Sequence, residues 1–304
     1  MNDQLPRSIR RDHPLSGLAT VRTGGHAELF ARVGSEAELV ELIDWAEQAQ
    51  VELNVVGSGS NLLVADEGVR GLVLKLDREL SAIELDGTSL VCGGGARLPS
   101  VAAYAARQGL SGIEFGVNIP GTVGGAVRMN ANAYGGELAS ALEWAQIVST
   151  FGSQRRAPEE LGFAYRSSNL RSGEIVASAR FTLVASDPTS VKAKLAQMRT
   201  RRHEAQPQGI RTFGSTFKNP DDDPSAQGRT AGLLLAEAGC NGLSVGGARF
   251  APKHANFIEN IGTATTTDVV ALMAEGRRLV IERFGVALEP EVQTLGPVRF
   301  PWAP

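Results

Sequence analysis

The sequence predicts an α+β fold in two parts. A larger N-terminal domain covers residues 1–195 and has two subdomains; a smaller domain covers residues 196–304. Three observations carry that expectation. Short apolar runs alternate with glycine turns and helix-period segments through the early chain, the pattern of mixed α and β layers. A charged helix opening at Asp187-Pro188 marks a boundary, with Val191, Leu195 and Met198 on one face and Arg199, Arg201 and Arg202 in a basic run. Beyond it, helical spacing returns in two further segments.

Each element follows in order. Leu39, Val40, Ile43 and Ala46 recur at helical spacing behind Ser35, a good cap, and predict a helix over Glu36 to Gln50. Val51 to Val56 reads as a strand ending on Gly57-Ser58-Gly59-Ser60-Asn61, and Leu62 to Val64 as a second apolar run. Gly71 to Leu76 and Ser89 to Cys92 are further strands. Gly93-Gly94-Gly95 leads into a helix near Pro99 to Gln108, where proline suits the first turn. From Gly112 to Glu137 there is much glycine and little helix or strand signal. Ala145–Thr150 and Glu174–Ala185 read as strands, and Thr189 to Glu204 as the boundary helix. In the second domain, Thr230 to Ala238 and Thr267 to Phe284 are helices; Val269, Leu272, Met273, Val280 and Phe284 form a core-facing stripe on the latter.

Composition narrows the function classes. With 30 basic and 33 acidic residues the net charge is −3, which argues against a protein built to neutralise nucleic-acid phosphates. No apolar run approaches the ~18 residues of a membrane span, and Met1 to Pro14 has no apolar stretch of the secretory kind, so the expected compartment is the cytosol. Two cysteines, Cys92 and Cys240, are too few for a disulfide framework. Four histidines without metal-ligand spacing leave no metal site to expect. Glycine is the unusual number: 35 of 304 residues, against roughly 7% in average chains.

Those glycines cluster after strands. Gly57-Ser58-Gly59-Ser60-Asn61 can turn successive N–H groups toward one point and cradle an anion, a pyrophosphate for instance. It is not a Rossmann fingerprint, because Leu62 stands at the third glycine position and no helix signal follows. It is not a P-loop, because no Gly-Lys-Ser/Thr follows. Alone it could be a plain turn. A second loop, Ile119-Pro120-Gly121-Thr122-Val123-Gly124-Gly125-Ala126, could close over the other side of a dinucleotide. The pair points to FAD or a similar cofactor.

At these residues the chain resembles the UDP-N-acetylenolpyruvoylglucosamine reductases. Val56 to Leu63 is similar to the family's first flavin loop, and Gly112 to Gly135 to its second. Tyr165-Arg166-Ser167-Ser168, Gly214 to Pro220, Lys253 to Ile258 and Leu288 to Val292 complete the set in the family's order, over roughly Leu18 to Gly296. The resemblance implies a vanillyl-alcohol-oxidase-like (PCMH-type) FAD domain followed by a substrate domain. It implies NADPH-dependent reduction of UDP-N-acetylglucosamine enolpyruvate to UDP-N-acetylmuramate, a cytosolic step of peptidoglycan synthesis. The interval between Arg166 and Ser215 leaves no room for the tyrosine-bearing loop of one family type, so the chain resembles the shorter type. It is expected to act as a monomer.

The resemblance also implies roles. Gly57, Ser58, Gly59, Ser60, Asn61 and Leu62 would hold FAD from one loop. Ile119, Pro120, Gly121, Thr122, Gly124, Gly125, Ala126 and Asn130 would hold it from the other. Hydride from reduced FAD would add to the methylene carbon of the substrate, and negative charge would develop toward its carboxylate. Arg166, a permanent planar cation, fits the stabiliser of that charge. Ser215 fits the proton donor. Glu291 fits a helper, protonated or acting through water, since an ionised carboxylate would repel the charge. Lys218, Asn219 and Tyr165 are candidates for the substrate; His254 is open between that role and a structural one. FAD is expected to be non-covalent, since neither loop contains histidine. Two departures from the family pattern are His26, where proline is usual, and Arg211-Thr212-Phe213 ahead of Ser215, where small residues are commoner. A same-fold oxidase that links FAD covalently and a flavin-free nucleotide-sugar binding protein are the competing readings.

Overall fold

The computed structural model describes residues 5–302. The chain forms two compact units that are discontinuous in sequence. Unit 1 gathers the chain up to Arg11 with Leu29–Ser58 and Gly71–Arg202; unit 2 gathers Asp12–Glu28, Gly59–Arg70 and the chain from His203 onward.

Unit 1 is built on a five-stranded antiparallel sheet in the order Gly152–Arg156, Leu142–Ser149, Ile175–Thr182, Ser89–Gly93, Ile83–Asp86. The central strand reads Ile-Val-Ala-Ser-Ala-Arg-Phe-Thr and is buried along most of its length, because both faces are covered. Leu90, Cys92, Ala179 and Phe181 join one core; Val148, Ile175 and Ala177 join another with Leu39, Leu42 and Ile43 of the helix Glu36–Gln48. Pairing steps from Gln146↔Ser178 to Ile147↔Val176, so Ala177 is the extra residue of a bulge. A bulge shifts the alternation, and here Ala177 and Ala179 end up in different cores. Ser35 caps the helix as its hydroxyl accepts from Glu38 N–H at 3.2 Å. The expected strand after that helix is shorter than the sequence suggests, Leu53–Val55, and pairs in parallel with Leu72–Leu74.

The glycine-rich stretch 112–137 holds more regular structure than its sequence signals. Glu114–Asn118 is a 3₁₀ turn and Val123–Arg128 a short helix. Two consecutive glycines depress helix propensity, but Thr122 caps the start by accepting from Gly125 N–H. The Gly124 N–H also reaches Gly94 C=O at 2.7 Å. Tertiary hydrogen bonds override local preference here.

Unit 2 contains the three-stranded sheet Ser244–Val245, Ala248–Phe250, Ile258–Asn260 and the helices Ala231–Glu237 and Thr266–Phe284. The long helix lies against the buried Phe250 so closely that a Cβ on Gly276 would stand 2.6 Å from the ring. Its first turn is pinned by Asp66, whose carboxylate accepts from Thr266 and Thr267 N–H, each at 2.8 Å. Gln293–Leu295 pairs in parallel with Leu62–Val64, so the second apolar run of the sequence is a strand of this unit. The boundary helix runs over Pro188–Ala205.

Candidate active site

In unit 1, Arg166 sits at the third position of a turn closed by Ser167 N–H on Ala164 C=O at 3.2 Å. Its φ is +56°, a left-handed conformation that strains a non-glycine residue by about 1–2 kcal/mol and so must be imposed by its surroundings. Two side chains anchor the turn and its flank, and a third fixes the segment that follows. Asn130 Nδ2 donates to Ala164 C=O at 3.4 Å, and Ser168 Oγ donates to Arg128 C=O at 2.8 Å. The Arg128 guanidinium donates to the carbonyls of Leu170, Arg171 and Glu174 at 3.1, 3.2 and 2.7 Å. Arg166 Nη1 in turn donates to Asn132 Oδ1 at 2.8 Å, and the guanidinium lies 5.2 Å from the ring centroid of Tyr165. Asn130, expected at the cofactor, is thus part of the frame that holds Arg166.

The glycine loops of unit 1 approach one another. A Cβ on Gly57 would stand 2.6 Å from Thr122 Oγ1, so a larger residue at 57 would force the loops apart. Lys75 Nζ donates to Gly57 C=O at 2.5 Å. Burial lowers the Lys75 pKa, and the charge of Arg32 adds to the effect; Asp77 opposes it and Arg97 adds to it. Arg32 pairs with Asp77 at 3.1 Å, which leaves positive charge in excess beside the loop. In the second loop the N–H groups of Ile119, Val123, Gly124, Gly125 and Ala126 are satisfied within the chain. That narrows the amide donors a ligand could meet there. Gly121 C=O accepts from Leu98 N–H at 3.0 Å, and Ile119, Pro120 and Gly121 are half-buried.

In unit 2, Ser215, Glu291 and Asn61 are laced together through main chain. Ser215 bridges Phe257 and Phe217 bridges Pro290, both antiparallel. Thr216 N–H donates to Asn256 C=O at 2.8 Å, and Glu291 N–H donates to Thr216 C=O at 2.9 Å. Asn61 Nδ2 donates to Glu291 C=O, and Asn61 C=O accepts from Gln293 N–H, each at 3.2 Å. The buried Asn256 locks the segment: its Oδ1 accepts from Phe217 N–H and its Nδ2 donates to Phe217 C=O, both at 2.9 Å. Residues distant in sequence therefore hold Ser215 and Glu291 one bridge apart. Nothing in the sequence pattern marks Asn256 for that task.

The remaining candidates also have partners in unit 2. Lys218 Nζ lies 3.4 Å from the exposed Glu289 carboxylate, a weak surface pair. Asn219 Oδ1 accepts from Ala231 N–H at 3.1 Å. His254 Nδ1 accepts from Asn256 N–H at 3.2 Å, which assigns the ring proton to Nε2, and burial lowers its pKa. Gly59, at φ +66°, would bring a Cβ within 1.9 Å of Leu18 C=O, so this loop position admits glycine alone. The two departures from the family pattern have structural partners too. His26 Nδ1 lies 2.7 Å from Asp12 Oδ1, Thr212 C=O accepts from the Thr20 hydroxyl at 2.6 Å, and Phe213 is buried.

The chain is 43% identical to a UDP-N-acetylenolpyruvoylglucosamine reductase 2 of Symbiobacterium thermophilum over 98% of its own length and 95% of the relative's. It belongs to the UDP-N-acetylenolpyruvoylglucosamine reductase family. A reductase of the same name from Listeria welshimeri is 38% identical, over 97% of this chain and 98% of that one. Residues 206–295 match the model of the reductase C-terminal domain, and residues 27–157 match a FAD binding domain. The crystal structure of the reductase (MurB) from Thermus caldophilus superposes with a TM-score of 0.81 at 36% identity, over 94% of this chain and 99% of that one. The α+β expectation of a FAD-binding domain followed by a family-specific C-terminal domain is met, and FAD is the family's cofactor.

Unit 1 fits the diphosphate of FAD on its own chemistry. Gly57, which packs against Thr122 Oγ1, carries no Cβ, and Lys75 brings a cation that donates to the neutral Gly57 carbonyl. Cys92 is fully buried and its thiol is pushed up to about 12 by burial, which makes it a poor nucleophile for covalent attachment.

Proposed function

We propose that the chain is an NADPH-dependent reductase that converts UDP-N-acetylglucosamine enolpyruvate to UDP-N-acetylmuramate. The single observation behind this reading is end-to-end membership in a family of reductases named for that substrate. The rigidly held Arg166 supports it. FAD, bound without a covalent link, supplies the hydride. The chain's own residues manage charge and proton.

Arg166 binds the substrate carboxylate. Its charge is permanent and its fork matches two oxygens, so its hold tightens as negative charge moves onto that group. The Ser215 hydroxyl gives its proton to the carbon that bears the carboxylate while the carbon–carbon π bond breaks, and regains a proton from solvent. Serine is a weak acid, but an enediolate carbon is basic enough to take its proton. Glu291, held one main-chain hydrogen bond from Thr216 at 2.9 Å, polarises the reacting carboxylate region in its protonated form or through water. Lys218, Asn219 and Tyr165 hold the nucleotide sugar; the Lys218 ammonium pairs weakly with the exposed Glu289 and can turn to a diphosphate. His254 keeps Asn256 in register through its ring acceptor. The same reading places the reaction in the cytosol, in peptidoglycan precursor synthesis, with the chain acting as a monomer.

The test is anaerobic and uses the purified FAD-loaded protein. NADPH should bleach the flavin band, and the enolpyruvyl sugar nucleotide should restore it with UDP-N-acetylmuramate as product. A flavin bleached by NADPH but untouched by that substrate would contradict the reading. A flavin that stays with the precipitated protein in acid would favour the covalent oxidase instead.

A further inference from the structure

We infer that Asn132 is a positioning residue for Arg166, its amide oxygen accepting from one guanidinium N–H and so fixing the direction of the fork. The inference rests on the functional reading above and goes beyond it, since neither motif nor family match assigns Asn132 a task.

Two hydrogen-bonded elements of unit 1 meet in this pair. Asn132 opens the two-residue strand Asn132–Ala133, which pairs with Gly136–Glu137 in the register Glu137↔Asn132. The turn between them has Tyr134 at φ +53° and Gly135 at φ +80°, two successive left-handed residues as in the tightest hairpins. Leu138 N–H on Ala131 C=O at 3.0 Å and Ala139 N–H on Asn130 Oδ1 at 3.4 Å tie the hairpin base. Facing it, the turn Ala164–Ser167 is held by Asn130 and Ser168. Arg166 Nη1 spans the two elements, 2.8 Å from Asn132 Oδ1 and 3.4 Å from Asn132 C=O.

The chemistry of the acceptor matters. A carboxylate at 132 would hold the guanidinium too, but its charge would compete with the substrate for the same cation. An amide oxygen fixes one N–H without adding a negative charge of its own. Fixing a long side chain in advance also removes rotamer freedom that binding would otherwise have to remove. The effect should grow as charge moves onto the carboxylate, so it should appear more in kcat than in KM.

The experiment uses the full FAD-loaded chain and its Asn132→Ala, Asn132→Asp and Arg166→Lys variants, with Asn132→Ala also made in the Arg166→Lys background. Flavin content and thermal midpoint confirm folding, and Asn132→Gly serves if the alanine variant fails that check. Asn132→Ala should lower kcat about tenfold, the scale of one hydrogen bond to a charged group, with KM for the sugar nucleotide nearly unchanged. In the Arg166→Lys background the same change should have almost no further effect. Asn132→Asp should be slower than Asn132→Ala near neutral pH and recover as the pH falls and the new carboxyl takes up a proton. Wild-type kcat in Asn132→Ala, a full tenfold loss that persists in the Arg166→Lys background, or an Asn132→Asp profile parallel to wild type would each overturn the inference while the functional reading stands. If wild-type protein itself fails to turn over the enolpyruvyl substrate, the reading fails and the inference falls with it.

Discussion

Arg166 and Ser215 are held by different means. In unit 1 the arginine turn is fixed by side chains: Asn130 donates to Ala164, Arg166 itself donates to Asn132, Ser168 donates to Arg128 C=O, and the Arg128 guanidinium fixes the segment that follows; the backbone is strained at φ +56°. In unit 2 the serine segment is fixed mainly by main chain, bridged by Phe257 on one side and hydrogen-bonded through Thr216 to Glu291 on the other, with the buried Asn256 amide closing on Phe217. A side-chain frame can be altered one residue at a time with the fold intact. A main-chain ladder transmits its loss to the fold itself. The comparison therefore separates variants that should change rate from variants that should change stability.

The largest effect is expected at Arg166. Arg166→Met removes the group proposed to meet the developing charge, and on that proposal substrate reduction should fall on the order of 10²–10³-fold, with flavin content and thermal midpoint near wild type. A large fall in the midpoint would show that the turn carries the fold as well, and would blur the contrast. Next comes Asn256→Ala, the unit 2 counterpart. It strands the buried N–H and C=O of Phe217, so unfolding in urea should show a loss of about 2–3 kcal/mol. A thermal midpoint unchanged in that variant would contradict the lock that the Asn256 amide places on the Phe217 backbone.

A smaller effect is expected at Lys75. Lys75→Met removes the cation that fixes Gly57 C=O, and FAD should bind the apoprotein roughly tenfold more weakly, the scale of one charge-assisted hydrogen bond. The salt dependence of FAD binding should also flatten, because one positive charge is gone. The smallest effect is pH-dependent. Burial lowers the folded pKa of His254 below its unfolded value. Its contribution to stability is therefore present above the unfolded value of about 6.5 and is lost as pH falls toward the folded one. The thermal midpoint should drop less between pH 7 and about pH 5.5 in His254→Asn than in wild type. An identical drop would show that the ring does not titrate against the fold.

Much of the fold was legible because its signals are local. Ser35 announces the first long helix, and the stripe Val269, Leu272, Met273, Val280 announces the last. The glycine loops were legible as loops. Their detail was not, since the helix Val123–Arg128 depends on Gly94 and on the Thr122 hydroxyl rather than on its own residues. The make-up of the units was hidden for a similar reason. Leu62–Val64 finds its partner only at Gln293–Leu295, near the other end of the chain. Among site residues, motif resemblance singled out Arg166 and Ser215, offered Asn256 beside His254 only as a weaker candidate for the substrate, and gave no role to Asn132 or Lys75. Asn132 meets Arg166 across 34 residues, and Lys75 is, with Arg70, one of two basic residues in the otherwise apolar strand Val69–Leu76. No spacing rule connects such pairs; only the folded chain does.

The most direct test of the central claim is a two-step stopped-flow measurement on Ser215→Ala. NADPH should bleach its flavin at close to the wild-type rate, because that half of the cycle needs no proton from Ser215. Return of the colour with the enolpyruvyl sugar nucleotide should slow on the order of 10²–10³-fold, as expected when a group acting only in the transition state is removed. Recovery at the wild-type rate, or an equal loss in both halves, would contradict the assignment of Ser215 as the proton donor.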